Sequence, residues 1–219
     1  MNTVVKHVRR SAFCGALAIL VGVSFAAMGE SPSSLFPLQP PVVSTVRSNC
    51  DVNPYGVGVV PKVVPGGGVV KRGNILVSDF NNAQNLEGTG TTAVRVRTHG
   101  DVSTSLTAAL GVVCRGIVFV GNLLTADGTA DTIGPSVLLA LERNDNVIRT
   151  FPDPNYINGP WGIAIHDWGR GGRISISNAL HGTVTRLDFE FSHDGEAEPG
   201  GPFGWVQISI KATEQLETF

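Results

Sequence analysis

Short bursts of apolar residues, broken by Gly, Pro and Asn turns, run along this chain where a helical protein would place an apolar residue every third or fourth position. The pattern predicts many short β-strands. The bursts recur in sets. Asn53-Pro54-Tyr55-Gly56-Val57-Gly58-Val59-Val60 is echoed much later by Asn158-Gly159-Pro160-Trp161-Gly162-Ile163-Ala164-Ile165. Each is a turn, an aromatic residue, a glycine and an apolar strand. Each leads to a second strand (residues 74–79 or 173–178) and a third (92–96 or 183–187). A more divergent middle copy opens at Leu110-Gly111-Val112-Val113 and continues through strands at 117–122, 136–142 and 147–151. Outer strands are expected at 101–107 in the first copy and 205–210 in the last. Recurrence of this kind marks a repeat protein, and the glycines at 56, 111 and 162 are spaced like the blades of a propeller of four-stranded sheets.

Two ends of the chain stand outside that pattern. Lys6, Arg9 and Arg10 precede an uncharged apolar run over residues 12–27, and Ser24-Phe25-Ala26 offers a small-x-small processing site. This reads as a secretory signal peptide over residues 1–27, since the run falls short of the roughly 20 apolar residues of a membrane span. The expected location is therefore secreted, periplasmic or extracellular. Residues 28–50 read as a Ser- and Pro-rich arm, with 42–46 a candidate strand that would complete the last blade of a closed ring. Blades are expected over 51–108, 109–156 and 157–210, and residues 211–219 read as a tail.

Composition sharpens the picture in two ways. With 42% apolar and 16% charged residues, 27 Gly and 13 Pro, the chain suits a turn-rich all-β domain. Without its first 27 residues it carries 13 Lys and Arg against 18 Asp and Glu, a charge of −5, which argues against nucleic acid as a partner. Cys50 and Cys114 then remain in an oxidising compartment. Neighbouring inner strands could bring them together, so a disulfide and two free thiols are both open readings.

Pro54-Tyr55-Gly56, Gly73-Asn74-Ile75-Leu76-Val77-Ser78-Asp79 and Leu180-His181-Gly182-Thr183-Val184 resemble the turn, second strand and third-strand turn of NHL-type β-propeller blades. Over residues 51–191 the chain resembles a family of secreted, uncharacterised bacterial NHL-repeat proteins. The resemblance implies an all-β fold of blades with four antiparallel strands each. A closed propeller has 4 to 8 blades, and three are counted here. The expectation is a partial propeller, with half of a six-bladed homodimeric ring as the other choice. Propellers of this kind imply a binding or scaffold module whose partner is a protein, a small molecule or a glycan. The rival reading is a metal-dependent lactonase of the six-bladed gluconolactonase kind, whose metal sits on a Glu, two Asn and an Asp. No acidic residue stands on an inner strand here to fill that set.

The candidate ligand-binding residues are Asn53 and Asn158, expected at equivalent starts of inner strands and thus at one mouth of the channel, with Tyr55 and Trp161 beside them. Asn before Pro or Gly is also ordinary turn chemistry, and the aromatics serve equally as packing between blades. Asp79 and Asn178 close matching strands and are expected to hold the backbone of the next turn. Asp127, Thr129 and Asp131 have the alternate spacing of a calcium loop. Thr132 and Leu138 replace the Gly and Glu that an EF-hand requires, which leaves a looser calcium site or a plain solvated loop. No catalytic residue is assigned: no His-Glu-x-x-His, Gly-x-Ser-x-Gly or Walker motif occurs, and no cofactor is expected.

Overall fold

The apolar bursts become strands. The computed structural model describes residues 42–97, 109–123, 125–193 and 206–217, all within the compact unit Val42–Phe219. The first sheet has order β1-β2-β3, with β1 Val52–Val59, β2 Ile75–Asn81 and β3 Thr92–Val96. The second has order β4-β5-β6-β7: Leu110–Val112, Val118–Asn122, Val137–Leu141 and Val147–Pro152. The third is the same meander, β8-β9-β10-β11: Pro160–Asp167, Gly171–Asn178, Thr183–His193 and Val206–Glu217. Every pairing is antiparallel. The one helical element among the described residues is a single 3-10 turn, Ala130–Thr132. Three antiparallel sheets of three or four strands make an all-β architecture of the partial-propeller kind.

The inner strands β1, β4 and β8 carry a repeated packing device. Gly58 faces Leu110 and Val112 of the second sheet; Gly111 faces Ile163 and Ile165 of the third. A β-carbon on Gly58 would stand 2.5 Å from Leu110 Cδ1, and one on Gly111 the same distance from Ile165 Cδ1. Two branched side chains of each sheet thus straddle a residue with no side chain on the sheet before it. The structural counterpart of Gly111 is therefore Gly58, and the alignment of Gly56, Gly111 and Gly162 is two residues out for the middle copy.

Because the second sheet is covered on both sides at β5 and β6, those two strands are apolar at consecutive positions. Val118, Val120, Leu139 and Leu141 face the first sheet with Leu110, Leu76, Val60, Val64 and Val70. Phe119, Leu138 and Ala140 face the third with Ile174, Ile176, Leu187 and Phe189. Phe119 and Phe189 meet at a centroid distance of 5.1 Å, a contact worth about 1 kcal/mol beyond the area it buries.

Several expectations are corrected. Residues 42–46 join no ladder among the described residues, and alternate residues there are half-buried. The expected outer strand at 101–107 lies outside the described residues. Residues 211–217 are no tail but the second half of β11, registered from Asp188↔Lys211 to Thr183↔Glu217. Their polar sequence belongs to an edge strand whose partner side is secured by Thr213 Oγ1 donating to the Arg186 carbonyl and by the Arg186–Glu214 ion pair. The long connection between β1 and β2 is also more than an insertion. Val60, Val64 and Val70 are fully buried, and the Arg143 side chain donates to the Pro65 and Gly66 carbonyls.

Candidate functional site

Two copies of the repeat meet at the end where β1 and β8 begin. In each, the ladder with the second strand shifts register at the aromatic residue, between Pro54 and Gly56 and between Pro160 and Gly162. Such a bulge leaves an amide without a ladder partner and re-aims a side chain. A serine hydroxyl accepts that amide in both cases, Gly56 N to Ser78 Oγ at 3.0 Å and Gly162 N to Ser177 Oγ at 2.8 Å. The bulged side chains, Tyr55 and Trp161, then meet edge-on at 5.6 Å and close over buried Phe80, at 5.5 and 4.8 Å. Tyr55 stays 43% exposed and Trp161 half-buried, with Leu123 and Ile133 beneath.

Asparagines stand at the heads of β1 and β8. Asn53 is exposed and donates through Nδ2 to Asn81 Oδ1 at 3.1 Å, while Asn81 Nδ2 reaches Asn85 Oδ1 at 2.9 Å. Asn158 is half-buried, with its Nδ2 2.7 Å from the Nε2 of exposed His181. The expected equivalence of Asn53 and Asn158 does not hold. The ladders pair Pro54 with Asp79 and Pro160 with Asn178, so Asn53 corresponds to Gly159 and Asn158 to Val52. Backbone conformation agrees: Asn53 has φ 64 and Gly159 φ 67, in the left-handed region that Gly and Asn tolerate best. Asn158 has a structural task as well, since its backbone amide donates to Asn178 Oδ1 at 2.9 Å.

The ladders do make Asp79 and Asn178 true counterparts, yet their surroundings differ. Asn178 is saturated: besides accepting from Asn158, it donates to the Tyr156 carbonyl at 3.0 Å and to the Thr185 hydroxyl at 2.9 Å. Asp79 is fully buried, and neither carboxylate oxygen has a close hydrogen-bond partner, the Thr45 side chain acting on it only as a looser donor. Burial holds its carboxyl above the ordinary carboxylate range, the charge of Asp51 adds to that, and the nearby Thr45 side chain opposes it. Asp51, itself buried, binds the turn instead: its Oδ2 accepts from Asn49 Nδ2, the Thr91 amide and hydroxyl, and the Thr92 hydroxyl, at 2.7 to 3.1 Å. The sequence reading missed Asp51 because a lone Asp before a strand looks like any turn residue.

Cys50 and Cys114 are both free thiols. Gly121 lies against Pro160 at the head of β8, and the Cys114 amide, just past β4, donates to Asp167 at its tail. Inner strands β4 and β8 thus run the same way, and the Tyr55–Trp161 contact places the head of β1 with that of β8. Cys50 precedes its inner strand and Cys114 follows its own, so they belong to opposite ends of the stack. Burial raises the Cys114 thiol pKa, as do the hydrogen bond and charge of Asp167.

The stretch from Asp127 to Asp131, read as a looser calcium site or a solvated loop, forms a local turn: Asp127 Oδ1 accepts from the Thr129 amide and hydroxyl and from the Thr132 hydroxyl. Among the described residues no three His, Cys, Asp or Glu side chains gather as a metal centre, and no helix is long and apolar enough to cross a membrane. Trp168, 54% exposed beside His166 at the opposite end of β8, was also missed, for want of a matching aromatic in the other copies. Compared with family models, with curated proteins and with solved structures, the chain matches none.

Proposed function

We propose that this protein is an exported binding module of NHL-like blades that takes a glycan or similar small polar ligand where its inner strands begin. The observation that supports this is the pairing of Tyr55 and Trp161 from two different sheets, with the amides of Asn53 and Asn158 near their strand heads. An aromatic face backed by Phe80 offers a rigid apolar platform for a sugar ring, and side-chain amides supply both donors and acceptors for its hydroxyls.

The test is tryptophan fluorescence during titration with a panel of oligosaccharides. Trp161 touches the buried Phe80, so the diagnostic variant is Tyr55→Ala, whose side chain is the more exposed. We expect the wild type to respond to at least one member of the panel, and Tyr55→Ala to keep its circular dichroism while losing the response. A variant that binds as well as the wild type would place the ligand elsewhere. Silence of the wild type across the panel would remove the glycan reading.

A further inference from the structure

An ionised carboxylate enclosed without a donor is too costly to persist, and it is relieved either by a proton or by a cation. Asp79 is close to that position. It is 0% exposed, neither oxygen has a close hydrogen-bond partner, the Thr45 side chain acts on it only as a looser donor, and the acidic residue beside it, Asp51, is 4% exposed. Topology puts the two groups together: Thr92 is the cross-strand partner of Asp79, and its hydroxyl is bonded to Asp51 at 2.7 Å. The four donors that hold Asp51 all go to Oδ2. The third sheet solves the same position differently, with a neutral amide that donates to a carbonyl and two threonine hydroxyls. At Asp79 the corresponding place holds two carboxylates with the Thr92 hydroxyl between them, oxygen ligands of the kind a hard cation takes.

We propose that Asp79, through both oxygens, and Asp51, through Oδ1, bind one hard divalent cation of the calcium type at the head of the first sheet. The site would tie the chain entering β1 to the end of β2, and it stands independently of the glycan reading. Its natural control is Asp79→Asn, which installs the residue that the chain already uses at the equivalent position 178 and so preserves the fold.

The experiment is calorimetric titration of the chelator-treated full chain with CaCl2, paired with thermal unfolding with and without calcium. The wild type is expected to bind one calcium ion and to melt at higher temperature in its presence. Asp79→Asn should fold but lose more affinity than the roughly 10–100-fold that removal of an outer hydrogen bond costs. If the wild type takes up no calcium the proposal fails, and a higher melting temperature for Asp79→Asn would then show that the carboxyl holds a proton. It fails equally if Asp79→Asn binds calcium as tightly as the wild type.

Discussion

The first and third sheets are built from the same repeat, yet they turn opposite faces of their inner strands toward the second sheet. Ile163 and Ile165 of the third sheet straddle Gly111 of the second. Their counterparts in the first sheet are Val57 and Val59, facing away from Gly58, and these are 62% and 64% exposed. Ile75, paired with Val59 across the ladder, is 40% exposed. At the other end of the stack, the residue in the place of Gly58 and Gly111 is Ala164, which is exposed. The outer face of the third sheet is otherwise polar, with Arg173 bonded to Asp188 at 2.6 Å and Arg186 to Glu214. A repeat supplies each sheet with a projecting pair and a gap, and a stack of three leaves one of each unused. The comparison teaches that the same valine or alanine is core or surface according to whether another sheet lies against it.

The largest test of this contrast is truncation of the projecting residues. Leu110→Ala, in the covered interface, should cost about 2–5 kcal/mol in denaturant unfolding, whereas Val57→Ala should stay within about 0.5 kcal/mol. Equal costs would mean that the open face of the first sheet is occupied in solution. Filling the gaps gives a smaller difference. Gly111→Val forces a side chain onto Ile165 and should destabilise by about 1–3 kcal/mol, while Ala164→Val has no sheet opposite and should be nearly neutral in the same assay. A destabilised Ala164→Val would show that the third sheet's outer face is packed after all.

The smallest contrast is chemical. Cys50 is exposed at the entrance to the first sheet, while Cys114 is half-buried with its pKa raised. A raised pKa means less thiolate at pH 8, so Cys114 should be alkylated more slowly than Cys50, and the gap should narrow as pH rises. Mass spectrometry after brief iodoacetamide treatment reads both rates; faster labelling of Cys114 would contradict its placement against Asp167.

Much of this was legible in the linear pattern, and the reasons are local. Pro-aromatic-Gly recurs at 54–56 and 160–162 and coincides with the same bulge in both copies, whose freed amide is taken up by a serine of the adjoining strand, Ser78 or Ser177. The consecutive apolar residues of 118–120 and 138–141 announce a sheet covered on both faces. Residues 211–217 were misread because an edge strand with one solvated face has little apolar signal, and Asn53 was matched to the wrong partner because Asn and Gly both satisfy a left-handed turn.

By itself, then, the sequence determined most strand positions, the repeat and the all-β class, since these follow from side-chain period and turn chemistry within a few residues. Only the tertiary structure decided which glycine receives which branched pair, which cysteine ends at which end of the stack, and that Asp79 lies buried beside Asp51 while Asn178 is satisfied. Those outcomes depend on residues brought together from separate strands and separate sheets, and burial converts a one-atom difference between a carboxylate and an amide into a difference of charge, donors and binding.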